Sequence, residues 1–185
     1  MDRKEIRVMA ATCRVAGHPY LLKIFGMGSC VALALQEQDH GLGGLAHILL
    51  PGPASAEEKN PQPAGNYKYA DQAVKALVEE MQKQGASMKK LRAAVIGGAN
   101  MFTTPDIEEK DMPGKPGIGK RNVDAVKRML EIYDIPLFGE DVGGNNGRTI
   151  VFDPASGKIQ VSNYKGDLKI LAPDQKGQGD RIAAE

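Results

Sequence analysis

Val31-Ala32-Leu33-Ala34-Leu35, then the polar Gln36 to Gly41, then Leu42-Gly43-Gly44-Leu45-Ala46-His47-Ile48-Leu49-Leu50 is the stretch that decides the fold. Two apolar runs around a polar segment with glycine form the pattern of a β-hairpin. Both runs fall far short of the ~20 apolar residues that a membrane span needs. Upstream, residues 6–15 are apolar with partial alternation, Gly17-His18-Pro19-Tyr20 marks a turn, and residues 21–25 resume an extended pattern. Gly26-Met27-Gly28-Ser29-Cys30 is a glycine-rich bend that leads into the hairpin.

Downstream, residues 51–66 are rich in Pro, Ala and Gly and read as a surface loop. A helix follows over 67–84, with Ala70, Val74, Leu77, Val78 and Met81 at three- and four-residue steps and Gly85 as its C′ residue. Residues 91–96 form a buried-type strand that ends in Gly97-Gly98, and residues 105–117 form a charged, Pro-containing loop. A second helix covers 119–133, with Val123, Val126, Met129, Leu130 and Tyr133 on one face. Residues 135–140, 149–152 and 158–161 read as strands, the last two joined by the turn Pro154-Ala155-Ser156-Gly157. The sum is an α+β domain of about seven mostly antiparallel strands covered by two main helices, spanning 1–165, with a flexible C-terminal tail over 166–185.

The chain has 185 residues, enough for one domain with a real core. Its 24 basic and 23 acidic residues give a net charge of +1, and only 5% of residues are aromatic, with no Trp. Neither a basic surface nor a stacking platform for nucleic acid is supplied. The N-terminus is charged and has no apolar segment behind it, so it does not read as a secretory signal, and no membrane insertion is expected. Two cysteines, Cys13 and Cys30, fit a reducing cytoplasm and are too few for an all-cysteine zinc site. No metal site is expected: Asp106, Glu108 and Glu109 lie in a charged loop and read as solvated. The glycine runs lack the third glycine of a dinucleotide fingerprint and the Lys-Ser/Thr ending of a P-loop.

Chemistry centres on Cys30. Glycines let a substrate approach the main chain, and N–H groups of the bend at Gly28 and Ser29 can hold a developing oxyanion. A buried structural cysteine after a tight turn fits the same residues, because free Cys is among the most buried types. A nucleophilic thiol needs a base. His18 and His40 fall in turns, whereas His47 lies within an apolar run, either as a core histidine or as that base. In an antiparallel pair the partner positions sum to a constant. A turn near residues 37–40 puts His47 opposite Cys30, and a turn near 39–42 puts it opposite Ala34. With the first register the imidazole lowers the thiol pKa, the thiolate attacks a carbonyl, His47 protonates the leaving group, and water releases the acyl-enzyme.

Taken together, the pieces resemble one family, the bacterial chemoreceptor glutamine deamidases (CheD). The matching segments are Gly26-Met27-Gly28-Ser29-Cys30-Val31-Ala32, Gly43 to Pro51, Tyr69-Ala70-Asp71, Gly97-Gly98-Ala99-Asn100-Met101-Phe102, Ile118-Gly119-Lys120-Arg121-Asn122, Asp141-Val142-Gly143-Gly144 with Gly147-Arg148, and Phe152 to Lys158. The resemblance runs from about residue 6 to 161. It implies a layered α/β/β sandwich and a cofactor-free hydrolase that converts glutamine side chains of methyl-accepting chemotaxis receptors to glutamate. Cys30 is the implied nucleophile and His47 the general base and acid. A CheC-like phosphatase is the implied second partner.

The family carries a Thr six residues before the nucleophile; here that position is Ile24, which has no hydroxyl to orient the imidazole. A backbone carbonyl, or a hydroxyl of Thr12, Ser29 or Thr103, is left for that task. The alternative to an active deamidase is a regulatory module that binds receptors or the phosphatase with little or no catalysis. An unrelated cysteine hydrolase of small amides or esters is a third reading.

Overall fold

The computed structural model describes residues 2–52, 67–101 and 116–173. Ten strands and two α-helices are present among them, in the order β1 (Lys4–Arg7), β2 (Cys13–Ala16), β3 (Tyr20–Met27), β4 (Val31–Glu37), β5 (Leu42–Ile48), α1 (Ala70–Lys83), β6 (Leu91–Gly97), α2 (Ile118–Ile132), β7 (Leu137–Val142), β8 (Arg148–Phe152), β9 (Ile159–Asn163) and β10 (Leu168–Leu171). A 3₁₀ turn over Met88–Lys90 leads into β6. One sheet has the order β2-β5-β4-β6-β7 and the other β1-β3-β8-β9-β10. Pairing is antiparallel except between β1 and β3 and between β6 and β7.

The layers follow from the residue patterns. Every residue of β4 is buried. Val31, Leu33 and Leu35 pack with the apolar stripes of α1 and α2, including Leu77, Met81, Val126 and Leu130. Ala32 and Ala34 pack with Leu22, Ile24, Ile150 and Phe152 of the other sheet. A strand covered on both sides needs apolar residues at every position, which is why residues 31–35 show no alternation. Among the described residues, sheet β1-β3-β8-β9-β10 is covered on one side, and Ile159, Gln160 and Val161 of β9 run buried, exposed, buried accordingly. The result is the expected α/β/β sandwich: helices, central sheet, outer sheet.

Four readings change. The apolar segment 6–15 is two strands: β1 joins the outer sheet and β2 the central one. Local alternation cannot reveal such a switch of sheets. Gln36 and Glu37 belong to β4 and are fully buried, leaving the turn to residues 38–41. The region read as a tail from residue 166 contains β10, which pairs with β9 at the sheet edge. Leu168 and Ile170 stay exposed on it, so the apolar signal was too sparse to mark a strand. The strand read over 135–140 begins later, as Leu137–Val142. The helices match closely, and Gly85 takes φ 98° just past α1, a conformation that favours glycine.

Thr103, Asp106, Glu108, Glu109, residues 53–66 and 102–115 and the chain beyond 173 lie outside the described residues. No described helix is long and apolar enough to cross a membrane.

Candidate functional site

The hairpin register decides how Cys30 and His47 relate. Val31 pairs with Ile48, Ala32 with His47 and Glu37 with Leu42. His47 therefore stands opposite Ala32, midway between the two registers considered, Cys30 and Ala34. The cause is the length of the strands: Gln36 and Glu37 continue the ladder and centre the turn between the two predicted positions. A two-residue offset leaves the face unchanged. Ala32 faces the outer sheet, and so does its partner His47; Cys30, two residues before Ala32, packs against the same inter-sheet cluster. Cys30 lies in the bend one residue before β4, beyond the paired ladder, at the end of the hairpin that carries His47.

The bend before β4 is held from several sides. Ala99 N–H donates to the Gly28 carbonyl at 3.1 Å, and Gly98 N–H to the Cys30 carbonyl at 2.7 Å. The Asn122 side-chain amide donates to the Ser29 carbonyl at 3.0 Å and to the Leu49 carbonyl at 2.9 Å. Gly97 has φ 111°, and a Cβ there would stand 2.4 Å from the Cys30 carbonyl oxygen. Only glycine tolerates both conditions. A Cβ on Gly28 would stand 2.9 Å from the Met101 side chain, which overlies the bend. The Gly97-Gly98 pair at the end of β6 thus braces the Cys30 backbone.

Cys30 is half-buried. Burial pushes its thiol above the usual range, and its own backbone N–H pulls it part of the way back. Burial pushes the His47 imidazole below its usual value. Both shifts arise from burial and favour the neutral thiol and the neutral imidazole. Among the described residues the buried Nδ1 of His47 has no hydrogen-bond partner. The Thr12 hydroxyl donates to the Met9 carbonyl at 2.8 Å and is engaged there. Ile24 pairs with Ile150 and is 1% exposed within the inter-sheet core. His40 pairs with the buried Glu37 carboxylate at the hairpin turn, away from the Cys30 end, and His18 is exposed.

No described cluster of three His, Cys, Asp or Glu could hold a metal ion. Asn122 is the contact that the residue-level reading missed. It stood within the Ile118–Asn122 segment, but a buried asparagine that bridges two carbonyls, one of them 93 residues away, leaves no local signal.

A family model described as CheD chemotactic sensory transduction matches residues 49–163. A protein of Clostridium kluyveri named probable chemoreceptor glutamine deamidase CheD is 42% identical over 91% of this chain and 99% of its own length. A protein of Clostridium botulinum (strain Hall) with the same name is 42% identical over 87% of this chain and 94% of its own. The family model begins two residues beyond His47, whereas an alignment over 91% of the chain has to run through both Cys30 and His47. By the extent of the model match and by the identity of these relatives, the chain belongs to the CheD family.

Proposed function

We propose that this protein deamidates glutamine side chains on the helical signalling domain of methyl-accepting chemotaxis receptors, with Cys30 as nucleophile and His47 as general base and acid. The observation that carries the reading is the shared inter-sheet face of Cys30 and His47 at one end of the hairpin. The names of the relatives supply the substrate class.

The chemistry starts from neutral partners. As the substrate amide closes on the site, His47 takes the thiol proton and Sγ bonds to the amide carbon. Negative charge moves to the carbonyl oxygen, where N–H groups of the Gly28–Ser29–Cys30 bend stabilise it. The C–N bond breaks as the imidazolium returns its proton to nitrogen, and ammonia leaves. His47 then deprotonates a water that attacks the thioester, giving the glutamate carboxylate and the free thiol. Water is the only co-reactant. A CheC-like phosphatase, the second partner implied by the family resemblance, would compete for the same face.

A second reading is favoured by two observations: Nδ1 of His47 lacks a partner, and the position of the family threonine is the buried Ile24. A site without an oriented imidazole suits a regulatory module that binds receptor or phosphatase and turns over slowly or not at all.

Ammonia release from a purified receptor signalling fragment, wild type beside Cys30→Ala, tests both. Mass spectrometry reads the accompanying gain of about 1 Da as amide NH2 becomes OH. Release by wild type alone supports the deamidase. No release by a folded protein that still binds receptor supports the regulatory module.

A further inference from the structure

Three consecutive carbonyls of the bend are pinned: Gly28 by Ala99 N–H, Ser29 by the Asn122 amide and Cys30 by Gly98 N–H. Two of the three donors are main chain, so Ser29 alone is held by a side chain. In a trans peptide, C=O and N–H point in opposite directions. Fixing the Ser29 carbonyl on Asn122 therefore aims the N–H of the same peptide unit, that of Cys30, away from α2. That N–H meets the Cys30 thiol. It stabilises negative charge on Sγ as the thiol gives up its proton.

The other hydrogen of the same amide goes to Leu49, two residues beyond His47. One planar group thus fixes the strand that carries His47 relative to the bend that carries Cys30. Both partners are carbonyls, which only accept, so Nδ2 and not Oδ1 must face them. Asn122 is fully buried, and its Oδ1 has no partner among the described residues. An unpaired buried acceptor is a standing cost that an apolar residue would avoid. Docking of α2 is already supplied by Val123, Val126 and Leu130. The amide is therefore explained by its two donors and not by helix packing.

We propose that Asn122 is a positioning residue of this site: it sets the peptide plane whose N–H meets the Cys30 thiol and ties that plane to the His47 strand. The proposal rests on the deamidase reading of Cys30 and His47. Asn122 touches neither substrate nor thiol and acts through the backbone.

The test compares full-length wild type, Asn122→Ala, Asn122→Ser and Val126→Ala, the last as a helix-packing control. Steady-state ammonia release from the receptor fragment gives kcat and KM. Peptide-resolved alkylation by iodoacetamide against pH follows the Cys30 thiol separately from Cys13. Asn122→Ala is expected to lower kcat about 10²-fold, the loss typical of a small misplacement of reacting groups, with little change in KM. Its Cys30 alkylation curve should move to higher pH, because an N–H that stabilises the thiolate is no longer held. Asn122→Ser, which keeps one donor, should show a smaller form of both effects and carries the test if Asn122→Ala does not fold. Val126→Ala should lower melting temperature and leave kcat and the alkylation curve near wild type. Equal kcat losses in the folded Asn122 and Val126 variants, or an unmoved alkylation curve in a folded Asn122 variant, would overturn the proposal. Absence of ammonia release by wild type sinks the deamidase reading, and the alkylation arm then decides the role of Asn122 by itself.

Discussion

Cys13 and Cys30 approach the central sheet from opposite faces. Cys13 pairs with Ala46 and packs against the helices; Cys30 packs against the outer sheet. Cys13 is 8% exposed, bonds to Tyr67 and lines a cleft of about 520 Å³ with Thr12, Glu80 and Gln84 among others. Burial pushes both thiols up, and each has one hydrogen bond that pulls it back. Thiol acidity and cleft size therefore do not single out Cys30. What differs is the neighbourhood: Cys30 has a histidine on its face and a pinned bend at its own backbone, and Cys13 has a tyrosine hydroxyl, the acidic Glu80 and the basic Arg14, whose charges act on the thiol in opposite directions. A nucleophile is made by adjacent donors and bases more than by exposure.

The largest expected effect separates the two thiols directly. Cys30→Ala should reduce ammonia release at least about 10⁴-fold, whereas Cys13→Ala should stay within a small factor of wild type. The reverse result in a coupled ammonia assay would break the comparison. Next comes the brace beneath Cys30. Gly97→Ala puts a Cβ against the Cys30 carbonyl and forces a positive φ on alanine, which alone costs about 1–2 kcal/mol. Its urea midpoint should fall further than that of Gly28→Ala, whose new Cβ meets only the Met101 side chain.

Ile24→Thr sharpens the question of imidazole orientation. Putting a hydroxyl into the inter-sheet core should cost about 1–3 kcal/mol of stability. If that hydroxyl bonds Nδ1 of His47, kcat should rise severalfold despite the loss. Destabilisation without a gain in rate would show that the imidazole is not reached from β3.

The smallest effect concerns pH. His47 has a folded-state pKa below its reference of 6.5, so the unfolded chain takes up its proton first as pH falls. Its stabilising contribution is present above that reference and is lost as pH drops toward the folded value. The raised thiols act oppositely: their contribution is present below the usual thiol range and is lost as pH rises through it. As pH drops from 7.5 to 5, the melting temperature should fall less steeply for His47→Gln than for wild type. Parallel curves would mean that the imidazole is not desolvated.

Much of the fold could be read along the chain. The 3.6-residue stripes of α1 and α2 and the unalternating run of β4 each record how many faces are covered. The bend, the histidine in its apolar run and the Ile24 substitution were also visible. β10 was not, because an edge strand with Leu168 and Ile170 exposed lacks the alternation that marks a half-buried one. Asn122 was not, because one amide inside a helix carries no trace of carbonyls 93 and 73 residues away.

The sequence by itself determined the two helices, the buried central strands and the candidate thiol and imidazole, since periodicity and residue chemistry are local. Tertiary structure decided the pairing of His47 with Ala32, the division of residues 4–16 between two sheets and the grip of Asn122 on the Cys30 bend. These depend on which distant groups satisfy each other's hydrogen bonds, and that is fixed only when both cores close.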